Sequence, residues 1–232
     1  MTAQIARVID ILIVFVASGL AYWLEGFVDA QGWVSVAADA RGVSAVIGGA
    51  LTAVAVVKFR GGTLADLGFR RPERWAMVPL QVIAIIVAFI AMQAIAPMLV
   101  GSFIDLPKPD LSKYGDLSGN IGAALTFALI LPFTASIPEE IIYRGFLMGR
   151  LSEIFGMGRG GAVATVLIQA VIFGSIHFSW GVGGIIVTFM MGIVWGTAFL
   201  LCRRNLWVVI IAHSTAHTLG ILQGYLATSI II

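Results

Sequence analysis

Cysteine is almost absent from this chain: Cys202 stands alone, beside Arg203 and Arg204. A single cysteine cannot close an internal disulfide and cannot build a zinc–thiolate site. Charge is scarce too, at 11% of 232 residues against about 25% in a soluble domain. With 59% apolar residues and a mean hydropathy of +1.01, a water-soluble globular domain is excluded. Linkers, low-complexity tracts and internal repeats are also missing, so residues 1–232 read as one integral membrane domain.

What is present is a series of long apolar runs. A hydrocarbon core of about 30 Å needs about 20 mostly apolar residues per crossing. Such runs fall at 8–27, 43–58, 76–99, 120–150, 161–178, 182–201 and 206–230, the fourth overlong and the last open to division into two. Because hydrocarbon satisfies no backbone polar group, each run should be helical. The fold class is therefore all-α, a polytopic transmembrane bundle of seven to eight helices. The first run follows Arg7 but continues through Tyr22 and Trp23 without a small-residue cleavage site, so it reads as a retained anchor rather than a signal peptide.

If the runs alternate, eleven of the 14 basic residues share one side: Arg7; Lys58, Arg60, Arg70, Arg71 and Arg74; Arg144, Arg150 and Arg159; Arg203 and Arg204. Arg41, Lys108 and Lys113 fall on the other. This asymmetry puts the N-terminus in the cytoplasm. Between runs two and three, Leu64 to Trp75 mixes apolar and basic residues as a helix lying on the cytoplasmic face would. Gly101 to Asn120, with Pro107 and Pro109, reads as a polar outer loop. Gly192 and Gly196 form a small-xxx-small pair suited to close helix packing. Trp23, Trp75 and Trp207 suit interfacial anchors.

Ionisable groups inside such runs cost about 2.5–3.5 kcal/mol each at a helix centre, so each needs a partner or a task. Glu140 and Arg144 are spaced i, i+4 in the acid-before-base order of a good ion pair. Glu139 is rotated by about 100° from Glu140 and is left available. Pro138 removes a backbone donor and favours a kink. Counted inward from Arg150, Glu139 lies about 16 Å deep; from Arg204, His213 and His217 lie about 14 and 20 Å deep at 1.5 Å per residue. His177, counted from Gly160 to the end of its run, comes out near 25 Å, which a later helix start or a tilt would level. All three histidines of the chain thus sit on apolar runs in the half that holds the glutamates.

Two chemistries fit these residue types. In one, Glu139 with His177 draws a proton from water while His213 and His217 donate to a peptide oxyanion. In the other, histidines ligate zinc, since His213 and His217 have the i, i+4 spacing of a helical zinc site.

Glu139-Glu140-x-x-x-Arg144, Phe173-x-x-x-His177 and a third motif starting at His213 resemble the three signatures of the CPBP family, the CAAX-protease and bacteriocin-processing membrane peptidases that include the Rce1-type endopeptidases. The likeness runs from about Ile121 to His217, marking 121–217 as the catalytic core. It implies a bundle of about eight membrane segments and cleavage of membrane-associated peptides or proteins. By the same resemblance Glu139 and His177 activate water and His213 holds the oxyanion, while Glu140 and Arg144, paired by their spacing, give structural support. His217 stands where the family often has asparagine, which keeps zinc as the alternative to a cofactor-free mechanism. Expected partners are membrane lipid and the membrane-associated substrate, with no nucleic acid, and the expected location is a bacterial inner (plasma) membrane. Two other classes fit the same residues. One is a non-proteolytic scaffold or immunity protein of the same fold. The other is a proton-relaying transporter, although no two halves of the chain mirror each other.

Overall fold

The computed structural model describes residues 2–32, 42–100 and 117–226. Arg41, Lys108 and Lys113, most of the expected outer loop and the end of the last run lie outside the described residues. Among the described residues the chain is all helix and turn, with seven helices: α1 Ala3–Ala30, α2 Val43–Phe59, α3 Val78–Val100, α4 Ile121–Phe155, α5 Arg159–Ser175, α6 Gly181–Leu201 and α7 Leu206–Leu226. Five are long and apolar enough to cross a membrane, and α2 and α5 have 17 residues each. The protein is an integral membrane bundle. The last run is one uninterrupted helix as far as Leu226, so seven of the expected seven to eight are seen.

The overlong run is a single helix whose backbone changes winding twice. Pro132–Ser136 and Ile141–Leu147 are π-helical and flank the α-helical turn Ile137–Glu140. Two prolines, Pro132 and Pro138, lack the N–H that regular α-winding would use, and the wider turns accommodate that loss. Ile142 to Met148 are buried without a break. No single helix face can do that, so this part of α4 runs through the centre of the bundle with neighbours all round.

Small residues set how closely those neighbours approach. A Cβ on Gly192 would stand 2.7 Å from Ala170 Cα, and one on Gly196 would stand 2.7 Å from Gln169 Nε2. Gln169 Nε2 donates to the Gly192 carbonyl at 2.6 Å, so the close approach of α5 and α6 also gives the nitrogen of this buried amide an acceptor. The packing reading of this glycine pair holds. Trp195, fully buried, ties α6 to α7 by donating from Nε1 to the Val209 carbonyl at 3.2 Å.

Two expectations need correction. Leu64 to Trp75 is not a helix lying on the surface. Leu64–Leu67 makes one tight 3-10 turn, and Gly68 then adopts φ 96°, a left-handed conformation that ends it. Leu67 is driven inward against Gly145, where a Cβ would meet the Leu67 carbonyl at 2.7 Å. The Gly68 carbonyl accepts from Leu206 N at 2.8 Å, capping one of the unpaired donors that begin α7. Arg144, grouped above with the basic residues of one membrane side, is no surface charge. It is fully buried within α4, and that helix continues past Arg150 to Phe155.

At the end of the bundle where α4 stops, Asp10 of α1 binds Arg60 Nη2 at 2.7 Å and Arg150 Nε at 3.2 Å, which joins α1, α2 and α4.

The glycine contacts make a stability prediction. Gly192→Ala should destabilise the folded protein by about 1–3 kcal/mol, because the new methyl meets backbone. Gly160→Ala, which meets nothing within 4 Å, should be neutral or stabilising by up to about 1 kcal/mol. Thermal unfolding of both variants in detergent micelles reads the difference, and equal losses would contradict the packing described.

Candidate active site

The α-helical turn between the two π-helical stretches of α4 points both glutamates into the bundle. Glu140 is fully buried, and one of its oxygens, Oε1, receives two donors: Arg144 Nη1 at 2.8 Å and His213 Nδ1 at 2.7 Å. The ion pair expected from the i, i+4 spacing is therefore formed, and it recruits a histidine from α7. Among the described residues Arg144 Nε and Nη2 have no hydrogen-bond partner. Its guanidinium carbon lies 4.6 Å from the centre of the Phe173 ring, a cation–π contact that is strong where water is excluded.

A carboxylate held in the charged state by arginine only accepts, so His213 donates from Nδ1 to Glu140. The other ring nitrogen, Nε2, then faces Glu139, whose Oε2 is 3.8 Å away. That distance exceeds a hydrogen bond. Glu139 is slightly more open than its neighbour, with its side chain 11% exposed against 0% for Glu140. The carboxylate within hydrogen-bond distance of Arg144 Nη1 is that of Glu140, one helical turn before it.

His217 lies one turn further along α7, its ring tilted 50° to that of His213 with the centres 4.5 Å apart. Its Nδ1 lies 3.1 Å from Ser136 Oγ in the first π-helical stretch of α4. Ser136 is fully buried and was not singled out from the sequence. Its only signal there is its place three and four residues before the glutamates. Trp195, whose ring centre is 6.1 Å from that of His213, was likewise missed, because nothing local distinguishes a core tryptophan from one beside a site.

His177 is not inside a span. The fifth helix begins at Arg159 and ends at Ser175, so His177 lies in the turn that leads to Phe178–Trp180. A later helix start is therefore not what brings it towards the others. Its ring packs edge-on between Phe173, 5.0 Å away, and Trp180, 4.8 Å away. Phe173 in turn contacts Tyr143 at 4.9 Å and carries the Arg144 guanidinium, which ties His177 to the glutamate pair. His177 Nδ1 lies 2.7 Å from the Phe173 carbonyl. A carbonyl can only accept, so Nδ1 carries the proton and Nε2 keeps its lone pair.

Among the described residues no three histidine, cysteine, aspartate or glutamate side chains converge as a metal-ligand set.

The burial of the pair sets different costs for the two glutamates. Glu140→Gln leaves the Arg144 charge sealed without a counter-ion, which should cost about 3–5 kcal/mol. Glu139→Gln should cost clearly less. Unfolding of the two purified variants side by side measures this, and equal losses would show that Glu139 shares the structural task.

Residues 121–219 match the family model described as type II CAAX prenyl endopeptidase Rce1-like. The match begins at the first residue of α4, ends within α7 and contains both glutamates, Arg144 and all three histidines. Neither the curated proteins nor the solved structures yield a match. Over this segment the chain is similar to the Rce1-like CAAX prenyl endopeptidases of the CPBP family.

Proposed function

We propose that this protein is an intramembrane endopeptidase that hydrolyses peptide bonds of membrane-associated peptides or proteins. In this reading Glu139 and His177 activate water, and His213 and His217 stabilise the oxyanion. The observation that carries it is the inequality of the two glutamates: Glu140 is committed to Arg144 and His213, while Glu139 faces His213 Nε2 across 3.8 Å.

Each role has a physical support. A carboxylate in surroundings of low dielectric is a stronger base than one in water, as taking a proton from an attacking water requires. The lone pair on His177 Nε2 suits the same task. As water oxygen bonds to the peptide carbonyl carbon, the carbonyl oxygen becomes an oxyanion, and the proton held by Glu139 passes to the departing amine. His213 donates to that oxyanion while its Nε2 holds the proton taken from water, received from Glu139 3.8 Å away and returned to it before the amine departs, and its Nδ1–H stays on Glu140 throughout. Glu140 thus positions the ring and offsets its charge, the role of a buried carboxylate behind a histidine. With the Ser136 hydroxyl donating to Nδ1, neutral His217 carries its proton on Nε2 and is a donor, the property an asparagine amide would supply.

We read the mechanism as metal-free. We also place the end of the bundle carrying Arg7, Arg60, Arg70 and Arg204 in the cytoplasm of a bacterial cell, in the inner membrane, on the asymmetry of basic residues.

Purified protein incubated with membrane-anchored peptides should cleave at least about 100-fold faster than Glu139→Ala or His177→Ala, the usual contribution of a general base. The strong chelator 1,10-phenanthroline should leave the wild-type rate unchanged. A rate retained in Glu139→Ala would overturn the proposal. A chelator-sensitive rate restored by zinc would keep the protease and replace its mechanism. Retained biological activity in Glu139→Gln, at unchanged expression, would favour a non-proteolytic scaffold.

A further inference from the structure

A cavity of about 360 Å³ opens at the end of the bundle where α4 stops, away from the histidines, and five arginines line it: Arg7, Arg60, Arg70, Arg150 and Arg204. Three of these are neutralised locally. Arg60 and Arg150 bind Asp10 at 2.7 and 3.2 Å, Arg150 also binds Glu153 at 2.9 Å, and Arg7 pairs with Glu153. The remaining lining carboxylate, Asp66, is taken by Thr63, which donates from its backbone N at 2.7 Å and its hydroxyl at 3.1 Å.

Arg70 and Arg204 are different. Among the described residues neither pairs with a carboxylate. Arg70 Nε donates to the Ala65 carbonyl at 2.7 Å, and Arg204 Nη2 donates to Ser152 Oγ at 2.7 Å. Arg204 Nη2 also reaches Met157 Sδ at 3.1 Å, and both guanidinium groups keep most of their donors. Their like charges also act on each other: burial, and then the charge of Arg70, push the Arg204 guanidinium below its ordinary pKa. Arg204 is held in addition at φ 56°, a backbone conformation uncommon for a residue other than glycine. Two guanidinium groups thus stand at one polar cavity with repulsion between them and, among the described residues, no salt bridge to either; Glu153 and Asp66, bound to other groups, act on them only at longer range.

We infer that this cavity binds a phosphate group through Arg70 and Arg204. Guanidinium forks match phosphate oxygens, and a basic pocket between helices at the membrane surface lies at headgroup level. The phosphate is that of an anionic lipid or of a soluble phosphate ester, and the two sources separate by experiment.

The full chain, purified in detergent and stripped of lipid, is titrated with phosphatidic acid, phosphatidylcholine and inorganic phosphate and read by native mass spectrometry. Phosphatidic acid should bind saturably and at least roughly tenfold more tightly than phosphatidylcholine, and Arg70→Gln/Arg204→Gln should remove roughly that preference. Arg70 is exposed, so Arg70→Gln alone keeps the fold and should show a partial loss. Lys58→Gln removes one exposed charge at the same end without touching the cavity and should bind as wild type does. Displacement of phosphatidic acid by millimolar inorganic phosphate would assign the site to a soluble phosphate, and its absence would assign it to lipid. Equal binding of the two lipids, or an equal loss in Lys58→Gln, would overturn the inference.

Discussion

A guanidinium sealed inside a membrane helix has to be neutralised where it stands. Arg144 is, by Glu140 on the next turn and by the face of Phe173. Removing either charge alone leaves the other unpaired in low dielectric, so the pair is retained or lost as a unit. The second donor on the same carboxylate oxygen is His213, and that contact links the charge pair on α4 to the helix that carries the other two-histidine face. The position of His213, the direction of its Nε2 and therefore the polar gap beside Glu139 all follow from this one buried ion pair.

The rest of the bundle holds that pair away from water. Two π-helical stretches in α4 bring Ser136, Glu139, Glu140 and Arg144 into the same interior, where regular winding through two prolines would leave backbone acceptors unmet. Gly192 and Gly196 let α6 lie against α5, which seats Trp195 beside His213 and Phe173 beneath Arg144. At the far end, Asp10 and its arginines clamp α1 and α2 to the end of α4. Packing and chemistry meet in α4, whose buried length serves both.

The helices were legible because each is an apolar run of spanning length, and their limits differ from the structure by a few residues at most. The Glu140–Arg144 pair and the shared face of His213 and His217 were legible because both are one helical turn apart. What escaped depends on residues distant in sequence. Leu67 turns inward because Gly145 leaves room for it, and no local feature of Leu64 to Trp75 reports that. Arg144 could be counted as a loop charge because its burial comes from α5 and α7 rather than from its own neighbours in the chain. The prolines announced a lost hydrogen bond but not the change to π-winding. His177 looked like a helix residue since apolar character continues past Ser175, while the backbone turns at Ile176.

The central claim is that Glu140, held by Arg144, takes the Nδ1 proton of His213 and leaves Nε2 to face Glu139. The chain has only three histidines, so nitrogen-15 NMR of the histidine-labelled full chain in lipid, with His177→Gln and His217→Gln as assignment variants, reads the His213 ring directly. The account predicts a protonated, strongly hydrogen-bonded Nδ1 on His213, which loses that bond in Glu140→Gln while the signals of His217 persist. A resting His213 with its single proton on Nε2 and a bare Nδ1 would contradict it.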